Sequence, residues 1–279
     1  MEKKLTAQGP KDRKSYTITL PLEWVKRHKL DKTRTVQLDL VGSKAVISPP
    51  GQEESTLTID GALYARSMLR ILQSSYRVGI EGIRIITKDA LLVEEIINIA
   101  EKNLIGLEVV EHKKDSILLK DIMRDAEESF SSVLRRIWLL IIEMAEGDSA
   151  SATGLHRTAK KLMNYAQRIL LRHGHTEYEK TPLYYLIIDK LDKMSDELYW
   201  LLLTKTNPGK ELIQLMRTAY ELFYKFNAQT YAASQPRTYE LKNQLRGETI
   251  NRQSMHQHNI ARVLTSLYGD IFALHCKSL

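Results

Sequence analysis

Cysteine is almost missing from these 279 residues. Cys276 stands alone, so no disulfide can close within the chain, and a structural zinc site built on cysteines is excluded. A single thiol fits a reducing compartment. Long apolar runs are missing too: no stretch reaches the roughly 18 residues that a membrane-spanning helix needs. The opening MEKKLTAQGPKDRKS is basic but has no apolar segment behind it, so it does not read as a secretory signal, and a cytoplasmic location is expected. Glycines number 13, yet none of their spacings matches a dinucleotide or P-loop fingerprint. No Ser/His/Asp or Cys/His arrangement can be nominated from spacing, and the chain is not expected to be an enzyme.

Charge is present and unevenly placed. The net charge is +7, with 43% hydrophobic and 27% charged residues, a globular composition whose length suits two or three domains. Residues 1–50 hold eleven Lys/Arg against five Asp/Glu, an excess of six. Residues 51–120 hold nine against eleven. A basic excess confined to one end is the electrostatic footprint of nucleic-acid contact.

Periodicity divides the chain further. Ser15–Leu20 alternates, with Tyr16, Ile18 and Leu20 on one face, which predicts a half-buried strand ending at Pro21. Leu22–Leu30 predicts a short helix with Leu22, Val25 and Leu30 inward. Residues 35–40 and 44–48 alternate across Val41-Gly42-Ser43 and predict a hairpin. Pro49 to Glu54 is punctuated and apolar-poor, a linker. Beyond it, strands at Thr56–Ile59, Gly82–Thr87, Gly106–Glu111 and Ser116–Leu119 alternate with helices at Leu63–Tyr76 and Ala90–Asn103, a small α/β subdomain. Gly79, Gly82 and Gly106 fall at junctions, where positive φ is expected.

From Asp121 the chain predicts helices near 121–146, 155–173, 182–205, 209–233, 237–254 and 256–275, hence a bundle. The six read as two three-helix repeats, about 121–207 and 208–279, in which Asp196 and Asp270 fall at equivalent places. The predicted fold is therefore multi-domain and mainly α, with domains at 1–52, 53–120 and 121–279.

The run S-Y-T-I-T-L-P-L-E-W-V-K-R-H-K-L, followed by the predicted hairpin, resembles the SpoVT/AbrB-type swapped-hairpin domain in its Leu20-Pro21, Trp24-Val25 and Leu30. Thr33-Arg34 stands where that family has Gly-Asp. The remainder resembles PhoU-domain proteins, and the whole is similar to archaeal phosphate-uptake regulators in which an AbrB-like domain precedes a PhoU-like region. Residues Tyr76–Ile83 and Leu104–Glu108 resemble the linking subdomain of those fusions. The first resemblance implies a barrel completed by interleaving two chains into a homodimer that presents a basic surface to DNA. Lys11, Arg13 and Lys14 before the first strand, and Lys26, Arg27 and Arg34 around the helix, are the candidate DNA contacts.

The second resemblance implies divalent or iron-type metal ions held by carboxylates at i and i+4. Asp192 and Asp196 have that spacing, Asp189 lies one turn earlier, and Asp270 stands in the second repeat with Ser266 four residues before it. Asp121, Asp125 and Glu128 could face them from the first helix. A solvated, salt-bridged face with Lys190 and Lys193 is the alternative. His256 and His258, two apart on a helix, point to different sides and suit capping or surface roles. Trp138, Trp200, Tyr184, Tyr185, Tyr220 and Phe223 suit the bundle core. The expected function is a DNA-binding regulator of phosphate uptake whose helical domain senses a partner or a metal. The alternative is a dimeric adaptor that never touches DNA and docks on a phosphate transporter or signalling partner.

Overall fold

The computed structural model describes residues 3–10, 13–41, 44–50, 56–123, 130–247 and 251–276. The chain divides into two compact units, Met1–Glu54 and Ser55–Leu279, so the α/β connector and the helical region fall within one unit. It is mainly helical, with small sheets.

The first unit holds strands β1 (Thr6–Gln8) and β2 (Ser15–Thr17), helices α1 (Leu22–Arg27) and α2 (Leu30–Thr33), and strands β3 (Gln37–Val41) and β4 (Lys44–Ser48). β1 and β2 pair antiparallel, Thr6 opposite Thr17, and β3 and β4 form the expected hairpin, Gln37 opposite Ser48. These are two separate two-stranded ribbons and not a closed barrel. β1 is invisible in the sequence, because three residues, Thr-Ala-Gln, carry no apolar alternation. The expected helix to Leu30 breaks at Lys29, which adopts φ 55°, and restarts as α2. α2 closes on Arg34 at φ 53°. The chain thus makes a glycine-type turn there with a residue for which the left-handed region is costly. Leu30 is buried at 5% exposure, but Leu22, expected inward, is 64% exposed, and Tyr16 and Ile18 are exposed as well.

In the second unit, β5 (Thr56–Asp60) leads through α3 (Gly61–Tyr64), a 3-10 turn (Ala65–Ser67) and α4 (Met68–Arg77) to β6 (Gly82–Ile86). α5 (Ala90–Asn103), β7 (Leu107–Lys113) and β8 (Ser116–Asp121) follow. The sheet runs β5-β6-β8-β7, with β5 parallel to β6 and the other neighbours antiparallel. Alternation puts Ile59, Ile83, Ile85, Ile117 and Leu119 into one cluster with Met68, Leu72 and Tyr76 of α4 and Leu92, Ile96 and Ile99 of α5. Asp60 and Asp89 cap α3 and α5 by accepting from two backbone N–H groups each. Gly79 and Gly106 do take positive φ, 91° and 75°. Gly82 does not. Its place is set by close approach, since a Cβ there would lie 2.8 Å from Thr56 Oγ1.

Six helices follow among the described residues: α6 (Phe130–Glu146), α7 (Ser149–His173), α8 (Thr181–Leu203), α9 (Lys210–Tyr224), α10 (Ala228–Gly247) and α11 (Arg252–His275), with a 3-10 turn at Tyr178–Lys180 before α8. Asp121, expected on the first of these helices, is instead the last residue of β8. The break expected near Pro236 falls at residues 225–227. The Asn227 side chain accepts from Thr230 N–H and starts α10 early, and Pro236 is carried inside the helix. Asn251 and Ser254 form a reciprocal capping box at α11. Trp138 and Phe223 sit in the core as expected, and Tyr184, Tyr185 and Tyr220 pack against it. Trp200 does not. It projects from α8 at 54% exposure, near the helix end.

Candidate nucleic-acid interface

The candidate DNA contacts of the first unit fall in two places, the loop between β1 and β2 and the C-terminal ends of α1 and α2. Because β1 precedes β2, Arg13 and Lys14 lie in a hairpin loop between two strands and not in a free segment before the first. The loop is closed by Arg13 N–H donating to the Pro10 carbonyl at 3.0 Å, next to Gly9 at φ 102°. Lys11 lies outside the described residues. Lys26 and Arg27 occupy the last turn of α1, where cations complement the helix carbonyl end, and Arg34 closes α2.

Arg13, Lys14, Lys26, Arg27 and Arg34 are all exposed, and among the described residues none of them is in an ion pair. Exposed cations on a closed loop and at helix ends are what a phosphate backbone attracts, because counterion release favours each contact. Beside them, Trp24 tilts over His28 with ring centroids 5.3 Å apart. Trp24 also lines an apolar recess of about 220 Å³ with Leu20, Pro21 and Ile47. A second cleft, about 530 Å³, is lined by Arg27, His28, Lys29, Leu30, Thr33, Pro49 and Pro50.

The carboxylates of the helical region are arranged differently. α7 and α8 run antiparallel, so Lys160 meets both Asp192 (2.6 Å) and Asp196 (3.0 Å), while His156 Nε2 lies 2.8 Å from Asp196 and its ring stacks on Tyr199. Burial pushes the Asp196 carboxyl up, but the His156 hydrogen bond and the Lys160 ammonium outweigh it and hold it below the usual carboxylate range. Asp189 pairs with Lys193 on its own helix at 2.6 Å. Asp270 pairs with Lys190 across α8 and α11.

The four aspartates expected as metal ligands therefore face three different lysines, with His156 also on Asp196. An ammonium stands between the two at i and i+4 where a cation would be needed. Among the described residues no group of three or more His, Cys, Asp or Glu converges on one point. This donor set does not fit a metal ion; Lys190 and Lys193 pair with Asp270 and Asp189 as the salt-bridged alternative has it, whereas Asp192 and Asp196 pair with Lys160 of α7. Asp125 and Glu128 lie outside the described residues. His256 and His258 do point to different sides, but to neighbouring helices and not to solvent: His256 Nδ1 lies 2.6 Å from Glu197, and His258 Nδ1 lies 3.0 Å from the Lys242 carbonyl.

One polar group had no sequence signal. Arg168 of α7 is buried, donates to the carbonyls of Tyr76 and Ile80, reaches Asp121 at 2.5 Å, and lies 4.7 Å over the Tyr76 ring. Arg172 adds Asp121 and Glu81, and Asn164 bridges Arg77 and the Asn103 carbonyl. One face of α7 thereby ties the α/β layer to the bundle, which explains why the two form one unit. Only the partners of Arg168, far apart in sequence, give it this role.

No family model, curated protein or solved structure matches the chain. Among the described residues no helix is long and apolar enough to cross a membrane.

Proposed function

We propose that the chain is a homodimeric DNA-binding regulator whose first unit is completed by a second copy, as its resemblance to swapped-hairpin domains implies. The observation that carries this reading is a mismatch inside that unit. Among its described side chains Leu30 alone is buried, while Leu5, Tyr16, Ile18, Leu22, Leu38 and Val46 stay exposed. A unit of this size needs a core or a staple, and oligomerisation supplies one where disulfides and metals do not. The same unit presents five cations that have no ion pair among the described residues, so two copies would double a basic surface.

The process, by resemblance to archaeal fusions of the same order, is control of phosphate uptake. The helical region is the proposed sensor, acting through a partner protein and coupled to DNA affinity through the shared dimer. Binding of duplex DNA by the full chain across a salt series tests the reading. Replacing Arg13 and Lys14 by Ala is expected to flatten the slope of log affinity against log salt by about 0.9 for each phosphate that the loop neutralises. An unchanged slope would remove that loop from the interface. No DNA binding at low salt would leave the adaptor reading in its place.

A further inference from the structure

The two edges of the four-stranded sheet are built unlike each other. β7 carries a bulge between Val109 and Glu111, and its Glu108, Glu111, His112 and Lys113 place charge along the strand. Bulges and charges are the ordinary means of stopping an edge from pairing with another chain. β5, at the opposite edge, has no bulge and a single charged residue. Its five residues are Thr-Leu-Thr-Ile-Asp, paired in unbroken register with β6 and, among the described residues, with no other strand. Its one charged side chain, Asp60, is engaged in capping α3. Leu57 is exposed on the strand, and the α3 that follows leaves Leu63 at 70% exposure.

We infer that β5 pairs antiparallel with β5 of a second copy, joining two four-stranded sheets into one of eight. The sequence is self-complementary in one register. Centring the two-fold on Thr58 overlaps all five residues, setting Leu57 against Ile59 of the copy, Thr58 against Thr58, and Thr56 against Asp60. The first is an apolar pair and the second a hydroxyl pair of the kind favoured across strands, while the Asp60 carboxylate stays on its cap of α3. Any later centre shortens the ladder or brings the Asp60 carboxylates together. The occupant is a second copy and not another protein because of how the chain is connected. Only residues 49–55 separate β4 from β5. Two copies held by their first units would bring their β5 strands together at a local concentration in the millimolar range. The inference thus rests on the two-copy reading above.

Single cysteines in a Cys276→Ser background of the full chain test it under mild oxidation. Thr58→Cys is expected to convert to a disulfide-linked pair, since facing residues in an antiparallel ladder lie about 4.5–5.5 Å apart. Thr56→Cys, whose two copies would be about 13 Å apart in that register, and Glu108→Cys on β7 are expected to stay single. The mass of each unoxidised variant separates the possible failures. Two-chain particles with no linkage at Thr58, or with equal linkage at Thr56 and Thr58, overturn the strand pairing and leave the dimer standing. Single-chain particles overturn both.

Discussion

The first unit and the second solve opposite problems. Residues 55–279 bury a continuous core running from Ile59 on β5 to Leu274 on α11, together with charges that are paired as they are buried. Residues 1–54 bury one described side chain and leave several apolar residues and the candidate cations exposed. A chain that builds a dense core across its longer unit has not failed to build a small one by accident of composition. Tyr16 and Ile18 alternate at and just after β2, and Leu38 and Val46 lie on the β3–β4 hairpin, yet all four are exposed. The contrast is what the proposed two-copy reading would account for, with a core built within the second unit and one completed by association in the first.

The largest effect that would sharpen this contrast is expected from Arg168→Met. It leaves Asp121, 8% exposed, with much of its compensation gone, and breaking a buried pair from one side costs about 3–5 kcal/mol. Denaturant unfolding of the second unit should remain a single transition at a lower midpoint. A drop within about 0.5 kcal/mol, the range of an ordinary surface change, would mean that the tie between α7 and the α/β layer is incidental.

Leu22→Ala comes next and is the sharper discriminator. In one chain this exposed side chain should be worth almost nothing. Covered by a second copy, its removal should cost about 1.5–3 kcal/mol and show as weaker dimerisation at low protein concentration.

The smallest effect is electrostatic. The Asp196 carboxyl is held below its ordinary range in the folded chain, so its contribution is present at neutral pH and is lost as pH falls through that lowered folded value. The side chain is 44% exposed, which limits the contribution to about 0.5–1 kcal/mol. The stability gap between Asp196→Asn and the parent should be open at pH 7 and close in acid. A gap that does not narrow as pH falls below the ordinary carboxylate range would assign the loss to geometry and not to charge.

What could be read from the sequence follows the length of each pattern. α5 and the β3–β4 hairpin emerge with little change because their periodicity is unbroken over whole elements. β1 is three residues with no alternation, and the α9–α10 break falls early because the Asn227 cap outweighs Pro236, a competition that periodicity does not register. Charge could be counted but not paired. Spacing put Asp192 and Asp196 on one face, yet Lys160 and His156, on the neighbouring helix α7, decide what that face does. The basic loop was identified by composition, and its closure into a hairpin required β1.

The most direct test of a first unit completed by a second copy is the mass of the full chain bound to a short DNA duplex, followed as protein concentration falls. Two chains per duplex, with DNA released together with dissociation to single chains, is the expected result. Single chains that bind the duplex with undiminished affinity would contradict it.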